Sequence, residues 1–180
     1  MRLNLGDNAP DFNAKDINGK PVRLADYADR DVLLCFYRYA GCPFCGLDLK
    51  ELITFHRKMS LTCELEVVAF FQSPASQVLR LHGRMEAPFP IVADPDKSVY
   101  GRYGVESSLA GGIRSIGHAA RWMDAVHQGF PQRKIDGDFF LLPSQFLVSE
   151  GMIALAYYGR DFGDHVPFME IESYCRSKPR

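Results

Sequence analysis

The stretch Asp31-Val-Leu-Leu-Cys-Phe-Tyr-Arg38-Tyr-Ala-Gly-Cys42-Pro-Phe-Cys45 runs an apolar strand straight into a Cys-x-x-Cys that opens a helix. Residues 32 to 37 are continuously apolar and rich in Val, Leu and Phe, the pattern of a strand buried on both faces in a sheet covered by helices. From Pro43 to about Met59 the period changes, and Cys45, Leu49, Leu52, His56 and Met59 fall at three- and four-residue spacings on one helical face. Pro43 suits the first helical position, where a missing N–H costs little. Cys42 then stands at the helix N-terminus, where unpaired backbone N–H groups and the positive end of the macrodipole favour a thiolate. Cys45 lies one turn on, facing the core and within reach of a disulfide. An accessible thiol beside a core-facing one is the asymmetry that a nucleophile and its resolving partner need.

Outward from this segment, Leu65 to Phe71 is a second continuous apolar strand. Residues 31 to 72 therefore read as strand, crossover helix, strand, parallel and right-handed. Upstream, Asn13 to Ile17 and Pro21 to Leu24 flank Asn18-Gly19, the dipeptide of a tight hairpin. Downstream, Ser73-Pro74 opens a shorter helix to about Met85, Ala87 to Pro95 is extended, and Asp96 to Tyr103 is a short helix. Ser107 to Gly112 is small and flexible. It precedes a helix over Ser115 to Gln128 with a stripe of Ile116, Ala119, Ala120, Met123 and Val126, ended by Gly129; 131 to 138 is a polar loop. Ser144 to Ser149 and Met152 to Tyr158, joined by Glu150-Gly151, predict an antiparallel hairpin. A last helix is expected from near Asp164, with Pro167 in its first turn and Phe168, Ile171 and Cys175 on its packing face.

A chain of 180 residues is long enough for one sizeable core and short for two, so residues 1 to 180 are expected to form one domain. Hydrophobic residues at 47%, charged residues at 24% and a formal net charge of -1 give no reason to expect nucleic acid. The N-terminus has no apolar h-region and no apolar run approaches about 18 residues, so no membrane contact is expected. Five cysteines, scattered singly apart from Cys42 and Cys45, suit a reducing compartment, and a cytoplasmic location is expected. Cys35, Cys63 and Cys175 sit in or beside apolar elements and read as inert packing. None of the five histidines is spaced to complete a zinc site with the cysteine pair, so neither a metal nor a cofactor is expected. His56 lies on the buried stripe and reads as a core histidine rather than a base.

This order of elements, with Cys-x-x-Cys opening the first crossover helix, resembles the thioredoxin fold. The N-terminal half resembles more closely the peroxiredoxin-like branch, the alkyl hydroperoxide reductase and thiol-specific antioxidant family. The resemblance rests on Leu5-Gly6-Asp7-Asn8-Ala9-Pro10-Asp11-Phe12, Asn18-Gly19-Lys20, Leu24-Ala25-Asp26-Tyr27, Phe36-Tyr37, Phe89-Pro90-Ile-Val-Ala-Asp94-Pro95 and Tyr103-Gly104-Val105. Phe146-Leu-Val with Glu150-Gly151-Met-Ile resembles the family's final hairpin. The implied fold is α/β and thioredoxin-like: a central mixed sheet flanked by helices, an N-terminal β-hairpin and a helical insertion near 106 to 138.

Departures from the family pattern lie around the sulfurs. Cys35 stands where the signature Pro belongs, Tyr39 where the Thr that orients peroxide belongs, and Ser144 where the family places an Arg. Leu142-Pro143-Ser144-Gln145-Phe146 instead resembles the cis-proline strand of thioredoxin, which implies a cis Pro143 beside the disulfide. Against the thioredoxin pattern, no Trp precedes Cys42, and Phe36 replaces the buried Asp. The expected activity is thus thiol-disulfide oxidoreduction through Cys42 and Cys45, supported by Pro43, Pro143, Tyr39 and Arg38. The alternatives are a true thiol peroxidase with an antioxidant role and a non-catalytic redox sensor. Expected partners are a peroxide or a protein or small-molecule disulfide and an external dithiol reductant, and a homodimer is compatible with this reading. Arg38 is the nearest cation in sequence to Cys42, although strand alternation leaves its side open and a solvated strand-end residue is the plainer reading. Arg114, Arg121, Arg133 and Lys134 with Trp122 make the insertion a lid over Cys42, a docking face for an anionic or protein substrate, or a packed helix with a solvated basic edge. Gly111-Gly112 is the hinge that a sensor would use.

Overall fold

The computed structural model describes residues 1 to 60 and 63 to 177. A hairpin of β1 (Asn13–Lys15) and β2 (Pro21–Arg23) turns at Gly19, whose φ of +85° the absent side chain permits. Then follow β3 (Asp31–Phe36), α1 (Pro43–Met59), β4 (Leu65–Phe71), α2 (Ala75–His82), β5 (Ile91–Ala93) and α3 (Ser98–Arg102). The insertion contributes α4 (Leu109–Arg114) and α5 (Ala119–His127), and the chain ends with β6 (Ser144–Ser149), β7 (Met152–Tyr158) and α6 (Phe168–Ser177). The main sheet has the order β5-β4-β3-β6-β7, with β3, β4 and β5 parallel and β6 and β7 antiparallel to their neighbours. This is the expected mixed sheet.

The alternation of β3 divides the interior in two. Leu33 and Cys35 face α1, joining Cys45, Leu49 and Leu52 in one core. Val32, Leu34 and Phe36 face the other side, where Phe12, Tyr100 and Tyr103 cover them. Phe36 stacks on Phe70 of the neighbouring strand at 4.7 Å. Each large apolar side chain so buried contributes on the order of 1.5 to 3 kcal/mol, and this two-sided burial fixes β3 at the centre. Its C-terminal end therefore holds Tyr37 to Cys42 in a rigid setting.

Several expectations are corrected. Residues 107 to 112 are not a flexible link: Ser108 caps α4 by accepting the Gly111 N–H, and Gly111 packs so closely on Leu142 that a Cβ would lie 2.6 Å from it. The helix expected over 115 to 128 is a 3-10 turn (Ser115–His118) followed by α5. Its expected stripe mostly faces outward, with Ile116 and Met123 exposed, while Ser115 and Ala125 are buried. The buried face is chosen by fit and hydrogen bonding, since the Ser115 hydroxyl accepts the Phe162 N–H and donates to the Gly111 carbonyl. The last helix starts at Phe168, after Pro167.

Two cysteines expected to be inert, Cys63 and Cys175, are joined in a disulfide that ties the segment after α1 to α6 across 112 residues of sequence. Neither residue is fully buried, so the pair staples the edge of the core. It also weakens the cysteine-usage argument for a reducing compartment. Pro143 is preceded by a trans bond, since no cis peptide occurs among the described residues. Trans is the favoured isomer by about 0.5 to 1 kcal/mol at an X–Pro bond, and the backbone around Pro143 is satisfied without the cis form: its carbonyl accepts the Gly159 N–H, and the Leu142 N–H donates to Glu106. No helix among the described residues is long and apolar enough to cross a membrane.

Candidate active site

Between β3 and α1 every residue from Tyr37 to Cys42 is buried, so Cys42, expected as the accessible thiol, is enclosed almost as fully as Cys45. The loop is pinned from both sides: the Tyr37 N–H donates to Phe70, the Gln72 N–H to Arg38, and the Ala40 N–H to the Ser73 hydroxyl at 2.7 Å. Cys42 is the N-cap of α1 with extended backbone angles, and Pro43 takes the first turn, as the sequence predicts. Gly41 allows the insertion to close over this turn. Its carbonyl accepts the Arg133 N–H, and a Cβ on it would fall 2.6 Å from the Lys134 carbonyl oxygen.

Arg38, which sequence alone leaves unplaced, reaches the sulfur. It is 2% exposed, and its Nη1 donates to Cys42 Sγ at 3.0 Å. The second terminal nitrogen donates to the Phe139 carbonyl, and the guanidinium lies 3.4 Å over the Phe162 ring. A charge held between aromatic faces with a sulfur partner is costly to bury unless that partner is anionic. The Cys42 thiol shows the consequence. Burial works against its ionisation, but the Cys45 thiol hydrogen bond, the Arg38 charge and the Cys45 and Phe44 amides outweigh it, bringing the pKa down to about 6. Burial, and then the hydrogen bond to Cys42 and its charge, hold the Cys45 thiol well above the usual range. Both cysteines are free thiols. The site thus contains one sulfur prepared as a thiolate and a second kept protonated beside it.

Tyr39 does not replace the missing threonine. Its ring lies under Arg38 at 5.1 Å and its hydroxyl donates to Gln132 Oε1 at 3.2 Å, in the insertion. Burial and the Cys42 charge push its pKa up to about 12, so it remains protonated. Pro143 is buried next to β6 and lines neither of the two cavities beside the active-site loop. His56 lies far down α1, about 20 Å from its start at 1.5 Å per residue, with its ring edge against Phe89.

Sequence reasoning missed a buried polar cluster on the same helix. Asp48, one turn beyond Cys45, accepts the Tyr37 hydroxyl at 2.6 Å and lies 3.4 Å from His165 Nδ1. Gln145 accepts the Val166 N–H through Oε1, and its amide nitrogen lies 2.8 Å from His165 Nδ1. Burial lowers the His165 pKa, which keeps the ring neutral. One signal was available, since Asp48 shares the apolar face of α1 at three residues from Cys45.

Two cavities flank the loop. One of about 490 Å³ is apolar, lined by Pro43, Phe44, Ile116, Trp122, Phe139 and Phe162, with Arg38 at its base. The other, of about 400 Å³, contains Cys42 itself. Of the insertion's basic residues, Arg121 pairs with Glu51 at 2.7 Å on α1, whereas Arg133 lines the cavity that holds Cys42.

A thioredoxin-type sheet with a free cysteine capping its first crossover helix is the arrangement of a thiol-dependent oxidoreductase of the peroxiredoxin-like group. The AhpC/TSA family matches residues 5–153, and the chain belongs to that family. A Mycobacterium tuberculosis protein provisionally named a peroxiredoxin is 32% identical over 120 residues, 64% of this chain and 74% of that protein. The thiol-disulfide oxidoreductase ResA of Geobacillus thermodenitrificans is 31% identical over 105 residues, 56% of this chain and 58% of that one. Among solved structures, the peroxidoxin BcpB of Mycobacterium tuberculosis superposes with a TM-score of 0.72 at 15% identity, covering 99% of this chain and 100% of that chain, which shows the shared fold.

Proposed function

We propose that this chain, acting as one domain, is a thiol-disulfide oxidoreductase in which Cys42 is the nucleophile and Cys45 the resolving thiol. The observation that carries the proposal is the Arg38 Nη1 to Cys42 Sγ contact at 3.0 Å at the cap of α1, with Cys45 one turn further along the same helix. The Cys42 thiolate attacks one sulfur of a disulfide, forming a mixed disulfide and expelling a thiolate. Cys45 then loses its proton, attacks the Cys42 sulfur, and expels the second thiolate. Two electrons leave the dithiol, and an external dithiol donor must restore it. The cytoplasm, where such donors are kept reduced, is a setting that fits this cycle. Pro43 keeps the helix start free of a competing N–H.

Peroxide reduction is a second reading, favoured by the same Arg38. The family's usual guanidinium position is Ser144 here, yet Arg38 supplies a guanidinium at the sulfur from the other side of the sequence. In that reaction the O–O bond breaks, Cys42 becomes a sulfenic acid, and Cys45 condenses with it to release water. Replacement of Cys42 by Ser tests the common core of both readings. Loss of turnover with both insulin disulfides and hydrogen peroxide is the expected result, and unchanged turnover with either would overturn the assignment for that substrate. The wild-type rates with the two substrates then rank the readings.

A further inference from the structure

The cavity that holds Cys42 is basic on every charged side chain that lines it. Arg80 projects from α2, Arg84 from the turn after it and Arg133 from the loop that closes over Gly41, and no Asp or Glu lines the space. Among the described residues none of these three guanidiniums is paired with a carboxylate; Arg80 rests only on the neutral amide of Gln77, three residues earlier. The histidine in the same wall adds no charge. His82 is buried against Phe71, bonds the Ala40 carbonyl at 2.9 Å, and is held neutral by burial, which lowers its pKa to about 4. Arg38 contacts the sulfur from the other side and lines the apolar cavity instead. A substrate sulfur approaching Cys42 through this cavity passes three exposed guanidiniums with free donors.

We propose that the Cys42 cavity selects low-molecular-weight disulfides that carry carboxylates, which Arg80, Arg84 and Arg133 bind while the disulfide meets Cys42. The assignment rests on the Cys42 and Cys45 reading above and names its substrate class. Planar guanidiniums match carboxylates in bidentate geometry, and three like charges around a small opening draw an anion inward. The step balances as a disulfide exchange. The substrate S–S bond breaks, a Cys42 mixed disulfide forms, and a carboxylate-bearing thiolate leaves. Cys45 then releases the second thiolate to give the Cys42–Cys45 disulfide, which an external dithiol reduces.

The test uses three probes of different charge: oxidised glutathione, which is anionic, neutral 2-hydroxyethyl disulfide and cationic cystamine. Each rate constant with the reduced protein is divided by that of the same probe with free 2-mercaptoethanol, which removes intrinsic reactivity. The normalised rate should fall in the order anionic, neutral, cationic, with about tenfold or more between the first two at low ionic strength and convergence as salt is raised. In the double variant Arg84→Glu/Arg133→Glu the order should reverse. The neutral probe acts as an internal reference, because a changed Cys42 reactivity alters all three rates alike whereas lost anion binding alters their ratios. Arg84→Gln/Arg133→Gln, which adds no repulsion and leaves Arg80 alone, should move the ratios towards one. Equal normalised rates in the wild type, or ratios unmoved by either variant, would overturn the anion assignment while leaving the dithiol chemistry intact. If no probe reacts, the dithiol reading fails as well.

Discussion

Arg38 and Cys42 depend on one another. The guanidinium sits among Phe139, Phe162 and Tyr39 with its Nε unpartnered, an arrangement that an anionic sulfur makes tolerable. A thiol with its pKa near 6 is about ten to one thiolate at pH 7, whereas an ordinary one near 8.5 is only a few per cent ionised. Because the folded value lies below the ordinary one, the reactive form is already complete at neutral pH and is lost as pH falls through 6. Iodoacetamide trapping of Cys42 should therefore be flat above pH 7 and fall about tenfold per unit below pH 6. In Arg38→Met the midpoint should move up by about one unit or more. A wild-type midpoint near 8.5, or a midpoint unchanged by the substitution, would show that Arg38 does not tune the sulfur.

At the scale of elements, the insertion is what separates this site from a bare strand-to-helix turn. The 131 to 138 segment closes on the loop between β3 and α1 and on the residues just after β4: the Arg133 N–H donates to the Gly41 carbonyl, the Ser73 hydroxyl to the Asp136 carboxylate and the Gln72 side-chain amide to the Asp138 carbonyl. Gly46 on α1 leaves room for Phe130, which would lie 2.5 Å from a Cβ there. Gly41→Val should push the Lys134 backbone away, since the neighbour met is a carbonyl rather than a flexible side-chain end. Overpacking of this kind costs about 1 to 3 kcal/mol, read as a lower urea midpoint. Hydrogen exchange should accelerate over 131 to 138 before it does so in β3. Unchanged exchange in that segment would mean that it does not rest on Gly41.

Across the whole molecule, the parts legible in the sequence were those set by strong local patterns. The apolar runs of β3 and β4, the period of α1 and the Cys-x-x-Cys at its cap placed the sheet centre and both sulfurs. Long-range choices were not legible. Ile116 and Met123 look like a packing stripe, yet Ser115 and Gly111 are buried because Phe162 and Leu142 meet them from residues far along the chain. Arg38 has the same character: its position in sequence is neutral, and Phe139 and Phe162, brought from the far side of the insertion, pack its guanidinium where it meets the Cys42 sulfur. Cys63 and Cys175 look like lone cysteines until the fold brings α6 back to the end of α1. The claim that joins these scales is that Cys42 attacks and Cys45 resolves. It is tested most directly by exposing Cys45→Ser to one equivalent of a small disulfide and mapping the product by peptide mass spectrometry. A stable one-to-one mixed disulfide on Cys42 is predicted; an adduct on Cys35, or no trapped adduct at all, would contradict it.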